Sequence, residues 1–286
     1  MANGQVRAGE VLATDLGFTE GPVVTRAGDI IVTSMSQARI YRCRKGGAKV
    51  VAETAGAANG ATEGKDGRIY TAHLGGKEPG KYDPGLPGGV QTIAPSGAIR
   101  WLTQDPISPN DICFGPDGYL YLTDPTRPAT RNDARLWRVD VQTGEAELLV
   151  SVEYFANGIG FGLEDDAIYV ASTNAQQIIR YPLNNGRLGR PEVAIKMSRG
   201  YPDGFAFDVE GNMVIAAISR SDDAGEIQTW TTDGKLLDSF TPGVYKKYTN
   251  VAFTNDRTLI VTASDAGQIL AFKDWPSAGL PLHPFR

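Results

Sequence analysis

The chain has 286 residues, which is long enough to bury a substantial hydrophobic core. Its net charge of -5 argues against a nucleic-acid-binding surface or a basic face for membranes. No run of about 18 apolar residues predicts a membrane span, and the N-terminus lacks the apolar core of a signal peptide. We therefore expect a cytoplasmic protein without a nucleic-acid or membrane partner.

The first predicted element is a strand at residues 5–13, where apolar and polar residues alternate. From Glu20 onward one pattern occurs six times: a short polar residue, an apolar strand, an acidic-glycine turn and a second apolar strand. The clearest copy lies at residues 108–125. We term the position that opens each copy the slot, and the slot residues are Glu20, Asn59, Asn110, Asn157, Asp203 and Asn250.

The slot residues are separated by roughly 40 to 50 residues, which is the period of a β-propeller blade. The repeats therefore predict an all-β fold, a six-bladed β-propeller formed as a single domain over residues 1–286. The last copy supplies only about three strands. We expect the strand at residues 5–13 to become the outer strand of that last blade, which closes the ring and removes a free sheet edge.

Three irregular segments interrupt or follow the repeats. Residues 73–89 are rich in glycine and proline and are expected to form either a solvated loop or a lid over the channel mouth. Residues 125–133 follow a strand of the next blade and place Arg127 near the same rim, where it is a candidate for binding substrate. Residues 275–286 contain three prolines and are predicted to pack as an extended cover.

The chain has two cysteines, Cys43 and Cys113. They fall in different predicted blades, so we expect no disulfide. Cys113 lies in an apolar strand and is predicted to be a small buried hydrophobic residue.

The first strand of every propeller blade lines the central channel, so we expect the slot residues to form a ring at one end of it. Glu20, Asn157 and Asp203 would offer two carboxylates and an amide oxygen to one point on the axis. Such donors suit a hard divalent cation, Ca²⁺ first and Mg²⁺ or Mn²⁺ next. The alternative is that each residue caps its own turn, which is favoured for Asn59 and Asn250 taken singly and disfavoured for Glu20.

Other catalytic motifs are missing from the sequence. The chain has two histidines, His73 and His283, so a zinc site with two or three histidines is nearly excluded. There is no Gly-x-Ser-x-Gly, no phosphate-binding glycine-rich loop and no Cys-x-x-Cys. His73 follows a strand of the second blade, where it is either a substrate contact at the channel rim or a structural histidine.

Four motifs around the slots resemble those of a known family. They are Thr19-Glu-Gly-Pro22, Ser108-Pro-Asn-Asp111 with Leu120-Tyr-Leu-Thr-Asp-Pro125, Ala156-Asn-Gly158 and Tyr201-Pro-Asp-Gly204. In this order and over nearly the whole chain, the sequence resembles the family of senescence marker protein 30, gluconolactonase and luciferin-regenerating enzyme. These are six-bladed propellers, related more distantly to paraoxonase and diisopropylfluorophosphatase.

The resemblance implies that Glu20, Asn157 and Asp203 hold one divalent metal ion, Ca²⁺ first with Mg²⁺, Mn²⁺ or Zn²⁺ as alternatives. Asn110 would be a fourth ligand or would orient the substrate. The implied activity is that of a metal-dependent, gluconolactonase-like lactonase, a hydrolase of carboxylic ester bonds in a small-molecule sugar lactone or related lactone. Asp203 would be the base for the attacking water, and direct attack by its carboxylate stays open.

The remaining candidate residues surround this centre. Asn59 and Tyr201 would join His73 and Arg127 in binding substrate, and Asp111 would support the metal ligands from behind.

One position departs from part of the family. Animal sugar lactonases of this group carry an arginine where this chain has Ser108, and Ser-Pro-Asn-Asp is more like the bacterial gluconolactonase branch. Two alternatives from other classes stay open: a metal-dependent hydrolase of non-sugar lactones, esters or phosphotriesters, and a non-catalytic propeller that binds a ligand. The Glu, Asn and Asp set weighs against the second, because a scaffold does not need converging carboxylates.

Overall fold

The computed structural model describes residues 5–76, 86–125 and 133–286. These residues form six sheets, each with four antiparallel main strands, that follow one another along the chain, and the prediction of a six-bladed β-propeller is confirmed. The described residues contain no α-helix, only a 3₁₀ turn at Ser264–Ala266, and none of their helical structure is long and apolar enough to cross a membrane.

Each blade consists of four main strands, ordered from the channel outward. The first blade is β3 (Thr19–Val24), β4 (Ile30–Ser34), β5 (Arg39–Arg44) and β6 (Gly47–Glu53). The second blade is β7 (Ala58–Glu63), β8 (Ile69–His73), β9 (Gly89–Ile93) and β10 (Ile99–Thr103). The third blade is β11 (Ile112–Phe114), β12 (Leu120–Asp124), β13 (Ala134–Val139) and β14 (Ala146–Val152).

The other three blades follow the same plan. The fourth blade is β15 (Ala156–Phe161), β16 (Ala167–Ser172), β17 (Gln177–Asn184) and β19 (Glu192–Lys196), with the short β18 (Arg187–Leu188) also paired to β17. The fifth blade is β20 (Tyr201–Phe207), β21 (Met213–Ile218), β22 (Glu226–Trp230) and β23 (Leu236–Thr241). The sixth blade is β24 (Tyr248–Phe253), β25 (Leu259–Ala263), β26 (Gln268–Phe272) and β2 (Glu10–Ala13).

The N-terminal segment closes the ring, although not as one strand. Residues Glu10–Ala13 pair antiparallel with β26, so the predicted closure of the last blade is confirmed. The prediction of a single strand over residues 5–13 is wrong, because β1 (Gln5–Val6) pairs in parallel with β23 of the fifth blade. The guanidinium of Arg7 lies over the ring of Phe240 and donates to Asp238, which holds this segment on the fifth blade. The two short strands thus cover the outer edges of two adjacent blades.

The hydrophobic cores lie between neighbouring blades. Ile178 of the fourth blade packs with Met213 and Trp230 of the fifth. Leu12, on the closing strand β2, packs with Val32 of the first blade. Closing the ring with the N-terminal strand therefore also buries apolar surface between the first and last blades.

The hairpins between the first and second strands lie at the end of the channel opposite the slots. Gly67 and Gly118 have φ angles of 71° and 82°, left-handed values that glycine adopts without strain after Asp66 and Asp117. In the fourth blade the same position is occupied by Asp165, with φ of 57°. Aspartate tolerates this conformation better than most residues, and its side chain is used to hold the C-terminus.

Residues 275–286, which we term the C-terminal segment, cover this hairpin end. Leu280 N donates to Phe207 O of the fifth blade at 2.8 Å. Arg286 Nη2 donates to Gly162 O of the fourth blade at 2.8 Å. The predicted cover is therefore present, and it crosses from one blade to the next.

Both cysteines are free, as expected. Cys43 is buried, but Cys113 is partly exposed, so the prediction that it is a buried hydrophobic residue is wrong. Its strand, β11, is innermost in its blade, and the side chain forms part of the channel wall.

Candidate functional site

The slot residues lie at the start of the inner strand in five blades and two residues before β11 in the third blade, and all are buried. Each has between 3% and 9% of its surface exposed. In five blades a β-bulge lies at the slot, which bends the strand and turns the slot residue out of the regular alternation. These irregularities fall between Glu20 and Val23, Ala58 and Ala61, Ala156 and Ile159, Pro202 and Phe205, and Tyr248 and Val251.

Glycine after the slot residue lets the next blade approach closely. A Cβ on Gly21 would lie 2.2 Å from Asn59 O, and a Cβ on Gly158 would lie 2.4 Å from Asp203 O. Because real Cβ atoms do not approach this closely, a side chain at either position would push two slot residues apart. The Glu-Gly, Asn-Gly and Asp-Gly pairs in the sequence therefore set the diameter of the ring.

The orientation of Asn157 is fixed by the neighbouring strand. Its Nδ2 donates to Thr173 Oγ1 at 3.1 Å, and Thr173 Oγ1 donates to Pro202 O at 2.7 Å. Pro202 directly precedes Asp203, so one hydroxyl joins the fourth and fifth slots. With Nδ2 engaged, Oδ1 is the atom of Asn157 that is left to bind a ligand.

Glu20 lies in an unfavourable electrostatic environment. Burial raises the pKa of its carboxyl well above the usual value, and the negative charges of Asp203 and Asp111 raise it further. A hydrogen bond from Thr249 partly offsets this rise in pKa. Converging buried carboxylates repel one another unless a proton or a cation is shared between them. This is the electrostatic environment that a divalent cation would relieve.

Asp111 occupies the position that glycine holds after most other slots. Its Oδ1 accepts from Ile112 N at 2.9 Å. Burial raises the pKa of Asp111 to about 6, while hydrogen bonds from Ile112 N, Ile159 N and the Asn250 side chain work in the opposite direction. These partners belong to three blades, so Asp111 links the third, fourth and sixth slots beneath the ring.

The remaining asparagines behave differently from one another. Asn59 Nδ2 donates to Asn110 Oδ1 at 2.9 Å. Asn250 Oδ1 accepts from Val251 N at 2.8 Å, so Asn250 caps its own turn, as the alternative interpretation had it. Asn59 does not use its side chain in this way.

His73 is buried, with 1% of its surface exposed. Its Nδ1 accepts from Gly75 N at 3.2 Å, and its ring packs edge-on against Trp101 with centroids 5.2 Å apart. Burial lowers the pKa of His73 to about 4, so the ring is neutral at physiological pH. These contacts are those expected of the structural histidine.

Tyr201 lies on the slot side of β20 and is partly exposed. The guanidinium of Arg220 lies over its ring, 4.3 Å from the centroid, and Arg220 Nη2 donates to Asn174 Oδ1 at 2.8 Å. Sequence analysis had not identified Arg220 as a cation near the fifth slot. Arg127 and residues 77–85 of the predicted lid lie outside the described residues, so their roles stay predictions.

Asp124 is a positioning residue whose role the sequence analysis missed, although it lies in one of the quoted motifs. It is fully buried, and Oδ1 accepts from Ser108 N at 2.8 Å. Its Oδ2 accepts from Ile107 N and Trp137 Nε1, each at 3.0 Å, and lies 3.3 Å from Arg135 Nε. Asp124 thereby holds the loop that delivers Asn110.

Ser108 itself is buried and structural. Its Oγ donates to Leu74 O at 2.8 Å, across to the second blade. Ser108, which occupies the position of an arginine in animal sugar lactonases of the family, therefore uses its hydroxyl to bind the backbone of the second blade.

The donor set decides which metal ions the site suits. Within residues 5–76, 86–125 and 133–286, no group of three or more histidine, cysteine, aspartate or glutamate side chains could hold a metal ion. Glu20 and Asp203 would supply two carboxylates, and the further ligands would then be amide oxygens such as Asn157 Oδ1 and water. Such a set fits Ca²⁺, Mg²⁺ or Mn²⁺ better than Zn²⁺, which binds nitrogen and sulfur more readily.

These features define a class of protein: a six-bladed β-propeller with buried carboxylates and carboxamides at one end of its channel. Residues 18–265 match the family described as SMP-30/Gluconolactonase/LRE-like region, and the chain belongs to this family.

Individual relatives are distant. The chain is 24% identical to a gluconolactonase of Zymomonas mobilis subsp. mobilis, over 89% of this chain and 78% of that protein. The structure of a calcium-binding protein, regucalcin, from Agrobacterium tumefaciens matches with a TM-score of 0.80 and 20% identity over 100% of both chains. A gluconolactonase from Xanthomonas campestris matches with a TM-score of 0.73 and 18% identity, over 95% of this chain and 88% of that one. At these identities the structural likeness shows the shared fold.

Proposed function

We propose that this protein is a metal-dependent lactonase that hydrolyses a sugar lactone or a related lactone. The main observation behind the proposal is that two buried carboxylates, Glu20 and Asp203, lie close enough for the charge of Asp203 to raise the pKa of Glu20. The other slot residues are carboxamides. Membership of the gluconolactonase-like family and the gluconolactonase from Zymomonas mobilis support it.

Glu20, Asn157 and Asp203 would hold one divalent cation, with Ca²⁺ as the first choice. Asn110 would be a fourth ligand or would orient the substrate, although its Oδ1 already accepts a hydrogen bond from Asn59. When bound, the cation supplies positive charge that polarises the ester carbonyl and stabilises negative charge on its oxygen. It would also offset the repulsion among the buried carboxylates.

The chain's own contribution to hydrolysis is proton transfer and positioning. The Asp203 carboxylate accepts a proton from water as the water oxygen bonds to the carbonyl carbon. The ester carbon–oxygen bond then breaks, and the ring oxygen takes up that proton to become the hydroxyl of the product acid. Tyr201 and Arg220 lie on the slot side of the fifth blade, where they would contact the hydroxyl groups of the substrate.

The test is hydrolysis of D-glucono-1,5-lactone, followed with a pH indicator after subtraction of the rate without enzyme. Treatment with EDTA should abolish the enzymatic rate, and Ca²⁺, Mg²⁺ or Mn²⁺ should restore it. Asp203→Asn should lower kcat by at least about 100-fold with the circular dichroism unchanged. Asp238→Asn, which changes a partly exposed carboxylate on the outer strand β23 of the same blade, paired with Arg7 and outside the slots, is the matched control. Absence of activity with every metal would contradict the proposal and favour a non-sugar ester or a non-catalytic propeller.

A separate experiment distinguishes the two roles considered for Asp203. A single turnover in H₂¹⁸O should place the label in the product acid if Asp203 acts as base. Direct attack by the carboxylate would form an acyl-enzyme, and its hydrolysis at the Asp203 carbon would leave ¹⁸O on the protein. Label found on Asp203 by mass spectrometry would overturn the assignment of Asp203 as base.

A further inference from the structure

The channel contains a cavity of about 450 Å³ beneath the slot residues, which we term the inner chamber. Its upper end is formed by Asp111 and Asn250, and its walls are the lower halves of the inner strands. Glu20, Asn157 and Asp203 do not line it. The three residues proposed to hold the metal therefore do not contribute to its wall, although Asn250, another slot residue, does.

Small residues at the same register of the inner strand in four blades help to create this space. They are Cys113, Gly160, Ala206 and Ala252, all of which contribute to the wall. Larger side chains at these positions would extend into the axis and fill the channel, as expected for a propeller whose channel serves only as a packed core.

Aromatic edges face the chamber. Phe161, Phe205 and Phe207 line it, and each is held by edge-to-face packing with another ring. Phe161 packs against Tyr121 with centroids 5.1 Å apart, and Phe205 packs against Phe207 at 5.8 Å. Rings fixed in this way form a rigid apolar surface that suits another ring.

The polar groups at the two ends are largely engaged within the protein. At the upper end, Asp111 accepts from Ile112 N, and Asn250 Oδ1 accepts from Val251 N. At the lower end, His283 Nε2 lies 2.8 Å from Asp165 Oδ1, and Arg286 Nη2 donates to Gly162 O. A ligand deep in the chamber therefore meets mainly apolar walls, whereas the exposed Arg26 and Asn255 also contribute to the lining.

The C-terminal segment is the floor of the chamber. It is held to the fifth blade by Leu280 N and to the fourth blade through His283 and Arg286, and the Phe285 ring lies 5.8 Å from the guanidinium carbon of Arg26 on the first blade. Apolar side chains of this segment, among them Leu280 and Leu282, complete the lining. The segment thus turns the hairpin end of the channel into a pocket.

We propose that the inner chamber is a second binding site, for a compact, neutral and apolar molecule with an aromatic or alicyclic ring. Its volume lies in the range of small-molecule sites, and smaller apolar cavities bind benzene. The ligand would enter past the C-terminal segment, at the end of the channel opposite the metal centre. The site does not depend on the lactonase activity.

Benzene is the probe for this site. Benzene at close to its aqueous solubility should raise the melting temperature of the full chain by about 2–5 °C, because it binds the folded state only. Ala206→Leu combined with Ala252→Leu narrows the chamber from two adjacent blades and should reduce the rise. Ala98→Leu makes the same change in an exposed turn and should keep it. Asp203→Asn should keep it as well, which separates this site from the candidate active site.

A rise in melting temperature of equal size in all variants would place benzene elsewhere and overturn the proposal, as would the absence of a rise in the wild type. Xenon-pressurised crystals of the wild type give a measurement that needs no variant. Xenon density enclosed by the inner strands is expected, and density confined to other places would contradict the proposal.

Discussion

The side-chain amide of Asn59 donates a hydrogen bond to Asn110 Oδ1, with 2.9 Å between the two atoms, and both residues are buried. This bond joins the second and third slots, so Asn59 acts on the ring through Asn110. It also sets the amide of Asn110 so that the oxygen faces Asn59. A cation or substrate at Asn110 therefore shares an oxygen that already accepts one hydrogen bond.

Both Asn59→Ala and Asn110→Ala remove the hydrogen bond between the two side chains, but they should differ in their effect on activity. Asn59→Ala removes a buried donor and should lower the free energy of unfolding by about 1–3 kcal/mol, because Asn110 Oδ1 loses its partner. Asn110→Ala should reduce kcat/KM more than Asn59→Ala, since Asn110 is the residue proposed to bind the metal or the substrate. Urea unfolding and initial rates measure the two effects, with Asn184→Ala at an exposed strand end as control. Equal loss of kcat/KM in both variants would contradict the indirect role of Asn59.

Glu20→Gln should have opposite effects without and with a cation. The carboxyl of Glu20 has a raised pKa because it is buried and faces Asp203 and Asp111, so a neutral isostere should stabilise the metal-free protein at pH 7 by about 1–3 kcal/mol. With saturating Ca²⁺ the wild type should become the more stable of the two, because the variant lacks a ligand. Urea unfolding in EDTA and in Ca²⁺ tests this crossover. The same order of stability under both conditions would refute a cation at Glu20.

His73 should make stability depend on pH between about 6.5 and 4. The unfolded chain binds a proton on this histidine near pH 6.5, whereas the folded protein resists protonation down to about pH 4, because the ring is buried. The contribution of the neutral His73 ring to the free energy of unfolding is therefore fully present above pH 6.5. It is lost as the pH falls toward 4, and the total loss is about 3 kcal/mol.

The measurement compares the wild type with His73→Gln by urea unfolding at pH 4.5, 5.5, 6.5 and 7.5. The difference between the two proteins isolates His73 from the carboxylates, which titrate over the same range. The difference in free energy of unfolding between the two proteins should be constant above pH 7. As the pH falls, the wild type should lose stability relative to His73→Gln. A pH-independent difference would show that His73 does not remain neutral.

Asp124→Ala should be among the most destabilising substitutions of a polar residue in the third blade. It leaves Ile107 N, Ser108 N and Trp137 Nε1 without their acceptor and breaks a buried ion pair with Arg135, which together should cost about 3–5 kcal/mol. Asp140→Ala, in a more exposed turn of the same blade, should cost less than half as much. Urea unfolding of both variants tests this, and similar losses would contradict the central role assigned to Asp124.

The repeats predicted the fold because each copy carries its own local pattern. The slot residues recur with the blade period, so the six blades followed from their spacing. The strand at residues 5–13 was predicted less well, because the choice between β23 and β26 as partner depends on distant contacts such as Arg7 with Phe240.

The parts of the site that the sequence did not predict depend on contacts between blades. Asp124 lies in a strand motif, and only the folded chain brings Ser108 N to its carboxylate. The partial exposure of Cys113 likewise follows from the width of the channel, which is set by small residues in other blades. Such pairings join residues far apart in the chain and leave no periodic pattern.

Calorimetric titration of Ca²⁺ into the EDTA-stripped protein tests the central claim most directly. We predict one ion per chain for the wild type, and little or no binding for Glu20→Gln and Asp203→Asn, while Asp238→Asn binds like the wild type. Absence of a saturable site in the wild type for Ca²⁺, Mg²⁺ and Mn²⁺ alike, or unchanged binding in Glu20→Gln and Asp203→Asn, would contradict a metal centre at the slot residues.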